Sequence, residues 1–133
     1  MKLRYLLDTD VLSLMQRDPN GAGGQIYARI DQEGADSVGT SVVNVQEQLQ
    51  GRFRQIGDAE QARKGEDLSL AYRRLREAVE FFRDIQIVDY SKQADDCYTE
   101  LRSKGGLTPT KVGPHDLRIG CIALANSLTV VTR

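Results

Sequence analysis

The sequence predicts an α/β fold in which a parallel sheet lies between layers of helices. Short apolar or β-branched runs alternate along the chain with longer segments of helical period, and strands separated by helices pair in parallel. The chain has 133 residues, of which 40% are hydrophobic and 28% are charged. This size and balance are typical of one globular domain, which we expect to cover residues 1–133.

The predicted strands and helices follow one another in a regular order. The strand segments are residues 5–7, 37–40, 85–88 and 128–132. Helices are predicted over residues 11–17 and 26–33, from Val42 after a Ser41 cap, over 68–82, after a Ser91 cap, and over 116–125. Residues 57–64 are polar and fit either a loop or a frayed helix.

The segment 68–82 carries the clearest helical pattern. Its apolar positions recur every three or four residues, which predicts one buried face made of Leu68, Ala71, Leu75, Ala78, Val79 and Phe82. The opposite face is predicted to be a solvated, salt-bridged surface of Arg73, Arg74, Arg76, Glu77 and Glu80. A local phosphate-binding patch with Arg52, Arg54 and Arg63 is the alternative interpretation.

Composition excludes several classes of protein. The net charge of −1 argues against binding nucleic acid through a broad basic surface, so such contact needs a local patch or metal ions. There is no apolar run of membrane-spanning length and no signal-peptide core. Cys97 and Cys121 lack metal-site spacing and predict small core residues of a reduced, cytoplasmic protein. Because His115 is the single histidine, any bound metal would have carboxylate ligands, which favours Mg²⁺ or Mn²⁺.

Three acidic residues stand where such a fold places its ligands. Asp8 follows the first strand directly, Glu47 lies in the helix that begins at Val42, and Asp116 opens a late helix. Open parallel sheets bind ligands outside the carboxyl ends of their strands. Each acid also has a simpler explanation. Asp8 or Asp10 caps the next helix, Glu47 is helix surface, and Asp116 complements a helix dipole.

Three stretches of the chain resemble the signature regions of PIN-domain nucleases. These stretches are LLDTDVLS at 6–13, SVVNVQEQLQG at 41–51 and GPHDLRI at 113–119, and the similarity continues through the last strand to Arg133. The order and spacing are most similar to bacterial VapC-type toxins of toxin–antitoxin pairs. The resemblance implies a PIN-like three-layer α/β/α sandwich with a central, mostly parallel sheet of four to five strands.

The resemblance also implies an activity, a Mg²⁺- or Mn²⁺-dependent endoribonuclease acting on tRNA, rRNA or mRNA. Its catalytic and metal-binding residues would be Asp8, Glu47 and Asp116, whose oxygens suit a hard cation that activates water. Residues that would orient ligands or waters around them are Thr9, Asp10, Ser41 and Thr132. The implied partners are a cognate antitoxin protein and a second copy in a homodimer, with no membrane.

Two departures from the family pattern stand out. Asp10 occupies a position that is usually asparagine, and an added acid there would change metal affinity. Family members usually continue past the Thr-Arg pair with an Asn or Asp and then an Asp-Phe pair. Because the sequence stops at Arg133, we expect the extreme C-terminal segment and its fourth acidic position to be absent, which puts activity in question.

Two other functional hypotheses fit parts of the sequence. Asp8-Thr9-Asp10 after an apolar strand imitates the nucleophile and acid–base pair of haloacid-dehalogenase-like phosphohydrolases. That family also needs a late acidic pair after a strand, whereas this last strand ends in Thr132-Arg133. The second reading is a degenerate PIN-like module that binds RNA or protein without cutting, because a fold does not guarantee its activity.

Overall fold

A computed structural model describes residues 2–61, 67–104 and 113–133. Within these ranges the centre of the protein is a four-stranded sheet in the order β3-β2-β1-β4. The strands are β1 (Tyr5–Leu7), β2 (Val38–Ser41), β3 (Gln86–Val88) and β4 (Thr129–Val131). All three strand pairs are parallel, so the predicted sheet is confirmed and is wholly rather than mostly parallel.

Six helices connect and cover the described strands. They are α1 (Thr9–Arg17), α2 (Ala22–Glu33), α3 (Val42–Glu60), α4 (Leu68–Arg83), α5 (Lys92–Ser103) and α6 (Pro114–Asn126), with a short 3₁₀ turn at Ala35–Ser37. The predicted caps are confirmed, since the side chains of Ser41 and Ser91 accept backbone N–H groups of α3 and α5.

Two hydrophobic cores lie on opposite faces of the sheet. Leu6 points into a core formed mainly by α5 and α6, where Ala94 and Ile122 are fully buried. Its neighbour Leu7 points into a second core with the α1 residues and Phe82. Successive side chains of a strand alternate between faces, so β1 contributes to both cores. This arrangement confirms the three layers.

The long helices α3 and α4 pack against each other and form a smaller core of their own. Its buried members are Ile56, Ala59 and Ala71. The prediction that the whole apolar stripe of α4 is buried was wrong for Val79, which is 55% exposed, and for Leu68, which is 39% exposed. Contact with a neighbouring helix buries a strip narrower than the apolar face, so the edges of that face remain in solvent.

Several helix ends differ from the prediction. Helix α2 begins at Ala22, four residues before the predicted start, because glycines let its first turn approach the end of α1. A Cβ atom at Gly23 would lie 2.4 Å from the carbonyl oxygen of Asp18. Helix α1 begins at Thr9 rather than Val11, and α3 runs on to Glu60 through part of the segment for which a loop was the alternative. Gln61 forms the C-cap of α3, and residues 62–64 lie outside the described residues.

The two cysteines form no disulfide bond among the described residues. Cys121 is buried, Cys97 is half-buried, and both are free thiols. Burial, followed by the neighbouring Cys97 thiol, raises the pKa of Cys121 to about 12.

In the described ranges, no helix combines the length and apolar character needed to cross a bilayer.

Candidate functional site

The carboxyl ends of β1, β2 and β4 bring several polar residues to one edge of the sheet. Asp8 follows β1, and its backbone N–H donates to the carbonyl oxygen of Val131 at the end of β4, at 3.0 Å. Ser41 ends β2 and begins α3. Because parallel strands end together, residues separated by more than thirty positions in sequence meet here. This edge is the candidate site.

Asp8 caps α1 and also faces the site. Its Oδ1 accepts the backbone N–H of Thr9 at 2.9 Å, so the simpler explanation of this acid as a helix cap holds. The same oxygen accepts a second hydrogen bond, at 3.0 Å, from the Nδ2 of Asn44 on α3. Asp8 is half-buried. Its carboxylate is therefore fixed by its own helix and by a neighbouring helix together.

Asn44 is the residue that sequence reasoning missed. Its side chain is fully buried and lies between Ser41, Asp8 and Thr9. The Oδ1 atom accepts from the Ser41 hydroxyl at 2.7 Å, and Nδ2 donates to the Thr9 hydroxyl at 3.0 Å as well as to Asp8. The available signal was a polar residue three positions after a serine cap, which is where a capping box places its second member.

Glu47 joins the same network through Thr9. The Thr9 hydroxyl donates to Glu47 Oε1 at 2.8 Å. The other carboxylate oxygen, Oε2, lies 3.5 Å from Nδ1 of His115 on α6. Glu47 is 27% exposed. The structure thus brings Asp8, Glu47 and the start of α6 to one place.

The remaining predicted site residues lie at the margin of this network. Asp116 is exposed in the first turn of α6, directly after His115, a position that also suits the helix dipole. Asp10 and Thr132 are exposed, and within the described ranges neither side chain makes a hydrogen bond to another residue of the network. Ser41 is buried and, in the described part of the chain, is linked to the acids through Asn44.

The donor chemistry of this edge fits a hard divalent cation, since its side chains offer carboxylate and hydroxyl oxygens. The acids are linked through Thr9 and Asn44 in the structure. In the part of the chain that the structure describes, no three His, Cys, Asp or Glu side chains are grouped so that they could hold a metal ion. Asp8 and Glu47 therefore offer the right donor atoms at one edge of the sheet, and Asp116 stands in the first turn of α6 without completing a three-ligand group.

A second polar contact between α1 and α3 continues beyond the acids. The side chains of Gln16 and Gln48 are hydrogen-bonded at 2.8 Å, and Gln48 also donates to the Ser13 hydroxyl at 3.3 Å. Gln48 is buried, one helical turn after Asn44. This contact holds the two helices together at a distance from Asp8.

Of the predicted phosphate-binding patch, Arg52 and Arg74 line a groove of about 830 Å³ beside this contact. Its charged lining residues are Arg17, Arg52, Arg74, Glu77, Glu80 and Asp84. Basic and acidic residues are equal in number, and Arg76 pairs with Glu80 at 2.8 Å, so the solvated, salt-bridged surface describes these residues better. Arg63 lies outside the described residues.

Comparison with known proteins identifies the fold. A chain of the crystal structure of DNA-bound VapBC from Salmonella typhimurium superposes with a TM-score of 0.73 and 22% identity, over 98% of this chain and 86% of that chain. A chain of VapBC2 from Rickettsia felis, bound to a DNA fragment from their promoter, gives a TM-score of 0.67 and 20% identity over the same shares. No family model and no curated protein matches the sequence. The likeness confirms the PIN-like fold class.

Proposed function

We propose that this protein is a divalent-metal-dependent endoribonuclease and the toxin of a toxin–antitoxin pair. The observation that carries the proposal is the network at the sheet edge, in which Asp8 and Glu47 are joined through Thr9. Helix caps alone require no such connection, because a cap bonds to its own helix. Two acids joined across separate helices, at the edge where parallel sheets bind ligands, support a site for chemistry.

Asp8, Glu47 and Asp116 would hold Mg²⁺ or Mn²⁺. When bound, the ion would supply charge neutralisation at the scissile phosphate and an acidified water. The chain itself contributes orientation, since Thr9 and the α1 backbone fix one oxygen of each acid. We retain the proposal that Asp10, Ser41 and Thr132 would orient ligands or waters around these acids.

The fold likeness supports one of the proposed partners, the antitoxin. Both solved structures are VapBC assemblies bound to DNA, which supports an antitoxin partner for this chain; the homodimer rests on the sequence resemblance alone. The substrate would be tRNA, rRNA or mRNA. The free thiols Cys97 and Cys121 suit a reducing cytoplasm, which is where such a substrate and partner would be met.

The first experiment is cleavage of a mixed tRNA and rRNA pool by the purified chain with Mg²⁺, Mn²⁺ or EDTA. We expect cleavage with either metal, none with EDTA, and loss of cleavage in Asp116→Asn. A matched control is Asp96→Asn, which removes an exposed helical acid that is paired with Lys92 at 2.7 Å on α5. This control should cut as the wild type does.

The outcomes separate the proposals. Full activity in Asp116→Asn would contradict the three-carboxylate site while leaving a nuclease in place. Metal-independent RNA binding without cleavage by the wild type would favour the non-catalytic PIN-like module. Cleavage that persists in EDTA would contradict the metal requirement.

A further inference from the structure

We infer that Asn44 is a positioning residue that sets the orientation of both Asp8 and Glu47, an inference that rests on the proposed function. Its amide group is fully buried and stands at the only point where α3 reaches both Asp8 and Thr9 within the described residues. Buried polar groups stay satisfied because leaving one unpaired is costly. All the hydrogen-bonding capacity of this amide nitrogen is used inside the site.

The direction of each hydrogen bond is fixed by chemistry. A carboxylate only accepts, so the atom of Asn44 that faces Asp8 must be the amide nitrogen. The opposite atom, Oδ1, accepts from both the hydroxyl and the backbone N–H of Ser41, at 2.7 and 3.3 Å. These contacts define the orientation of the amide. One N–H is directed to Asp8, and the other is directed to Thr9.

This orientation then determines how Glu47 is held. Thr9 Oγ1 accepts a hydrogen bond from Asn44 at 3.0 Å, so its single proton is free to donate in another direction. That proton goes to Glu47 Oε1 at 2.8 Å. A one-way sequence of hydrogen bonds therefore runs from Ser41 through Asn44 and Thr9 to Glu47, with a branch to Asp8. The residue at position 44 controls both branches.

No other side chain of similar size can do this. Asparagine offers one acceptor and two donors on opposite sides of a planar group, whereas aspartate offers acceptors alone and threonine offers a single donor. Asn44→Asp keeps the size of the side chain and its acceptor for Ser41, so the capping of α3 is retained. It loses both donors and places a carboxylate against Asp8. The variant therefore removes the two donors to Asp8 and Thr9 and keeps the acceptor for Ser41.

The test compares Asn44→Asp and Asn44→Ala with the wild type and with Gln48→Ala. Gln48 is the matched control because it is a buried amide on α3, one turn further, that bonds to Gln16 and Ser13 instead of the acids. Each variant is assayed for RNA cleavage, for Mn²⁺ affinity by electron paramagnetic resonance, and by crystal structure. Thermal unfolding checks that each is folded.

We expect both Asn44 variants to lower kcat by about tenfold to a hundredfold with the KM for RNA unchanged, and to weaken Mn²⁺ binding about tenfold, as removal of residues that orient metal ligands does. Gln48→Ala should lose thermal stability and keep both values. Unchanged kcat and Mn²⁺ affinity in Asn44→Asp would overturn the inference, as would equal losses in Gln48→Ala.

Crystal structures of the variants test the positioning role of Asn44 independently of nuclease activity. We expect Asp8 to adopt a new rotamer and the 2.8 Å hydrogen bond between Thr9 and Glu47 to be lost in Asn44→Asp. Retention of both in the variant overturns the positioning role whether or not the chain cuts RNA. Absence of cleavage by the wild type, with the rearrangement present in the variant, would contradict the proposed function and leave Asn44 as the residue that orients the two acids.

Discussion

Asp8 and Asp67 are the N-caps of α1 and α4, and their surroundings differ. Asp67 caps α4 with one oxygen, Oδ1, which accepts the backbone N–H groups of Ser69 and Leu70 and the Ser69 hydroxyl. All three donors come from the next three residues. Asp8 caps α1 through one backbone N–H, and its second donor is Asn44, thirty-six residues away. The first is a local structure, and the second depends on the whole fold.

The difference shows how a helix cap can also belong to the candidate site. An exposed cap with local partners orients no other element and contributes to its own helix alone. At Asp8 the same residue type lies at the carboxyl end of a central strand, where a buried amide from another helix also reaches it. The following predictions test this contrast in order of decreasing effect.

Exchange of each aspartate for asparagine should separate the two roles most strongly. Asparagine caps helices as well as aspartate does, so neither Asp8→Asn nor Asp67→Asn should change the melting temperature much. Asp8→Asn should lower metal-dependent RNA cleavage by more than about a hundredfold, beyond the loss typical of outer residues. Asp67→Asn should cut like the wild type. Equal activity in the two variants would remove the distinction.

The hydroxyl neighbours of the two caps should show the next largest difference. Thr9→Val removes the hydroxyl that donates to Glu47 while keeping the shape of the side chain, and we expect about a tenfold loss of kcat. Thr9→Ser keeps the hydroxyl and should retain most of the wild-type kcat. Ser69→Ala removes the corresponding hydroxyl beside Asp67 and should leave kcat unchanged. A loss in Thr9→Ser as large as in Thr9→Val would point to packing instead.

Removal of the local cap should affect stability alone. Asp67→Ala leaves the first backbone N–H groups of α4 without their side-chain acceptor, and we expect the melting temperature to fall by about 2–4 °C. Calorimetry would measure this change, and the RNA cleavage rate should remain that of the wild type. A fall in the RNA cleavage rate of Asp67→Ala at a temperature where the variant is fully folded would mean that α4 influences the site.

The smallest effect concerns pH. The Ser69 hydroxyl, followed by the Leu70 backbone N–H, lowers the pKa of Asp67 below its ordinary value of 3.8. A lowered pKa in the folded state stabilises the protein above 3.8, and that contribution is lost as the pH falls through the lowered value. Urea unfolding at several pH values should therefore show the difference between wild type and Asp67→Ala shrinking in acid. A difference that grows in acid would contradict this assignment.

Much of the fold could be predicted because its signals are local. The run Tyr5–Leu7, the Ser41 and Ser91 caps and the periodic apolar residues of α4 each act within a few positions. The strand order and the exposure of Val79 depend on which elements pack together, and no local pattern reports that. The helical start of α2 was missed because glycines usually break helices, whereas Gly23 permits close approach to α1 here.

The candidate site divides in the same way. The sequence by itself determined that Asp8 follows a strand, that Glu47 lies in the helix after Ser41 and that Asp116 opens a late helix, which made these three acids the candidate site residues. The tertiary structure decided that Asp8 and Glu47 are connected, that Thr9 and Asn44 connect them, and that His115 brings α6 beside Glu47. The physical reason is that hydrogen bonds between distant residues depend on how parallel strands and their helices are placed side by side, which no spacing along one segment specifies.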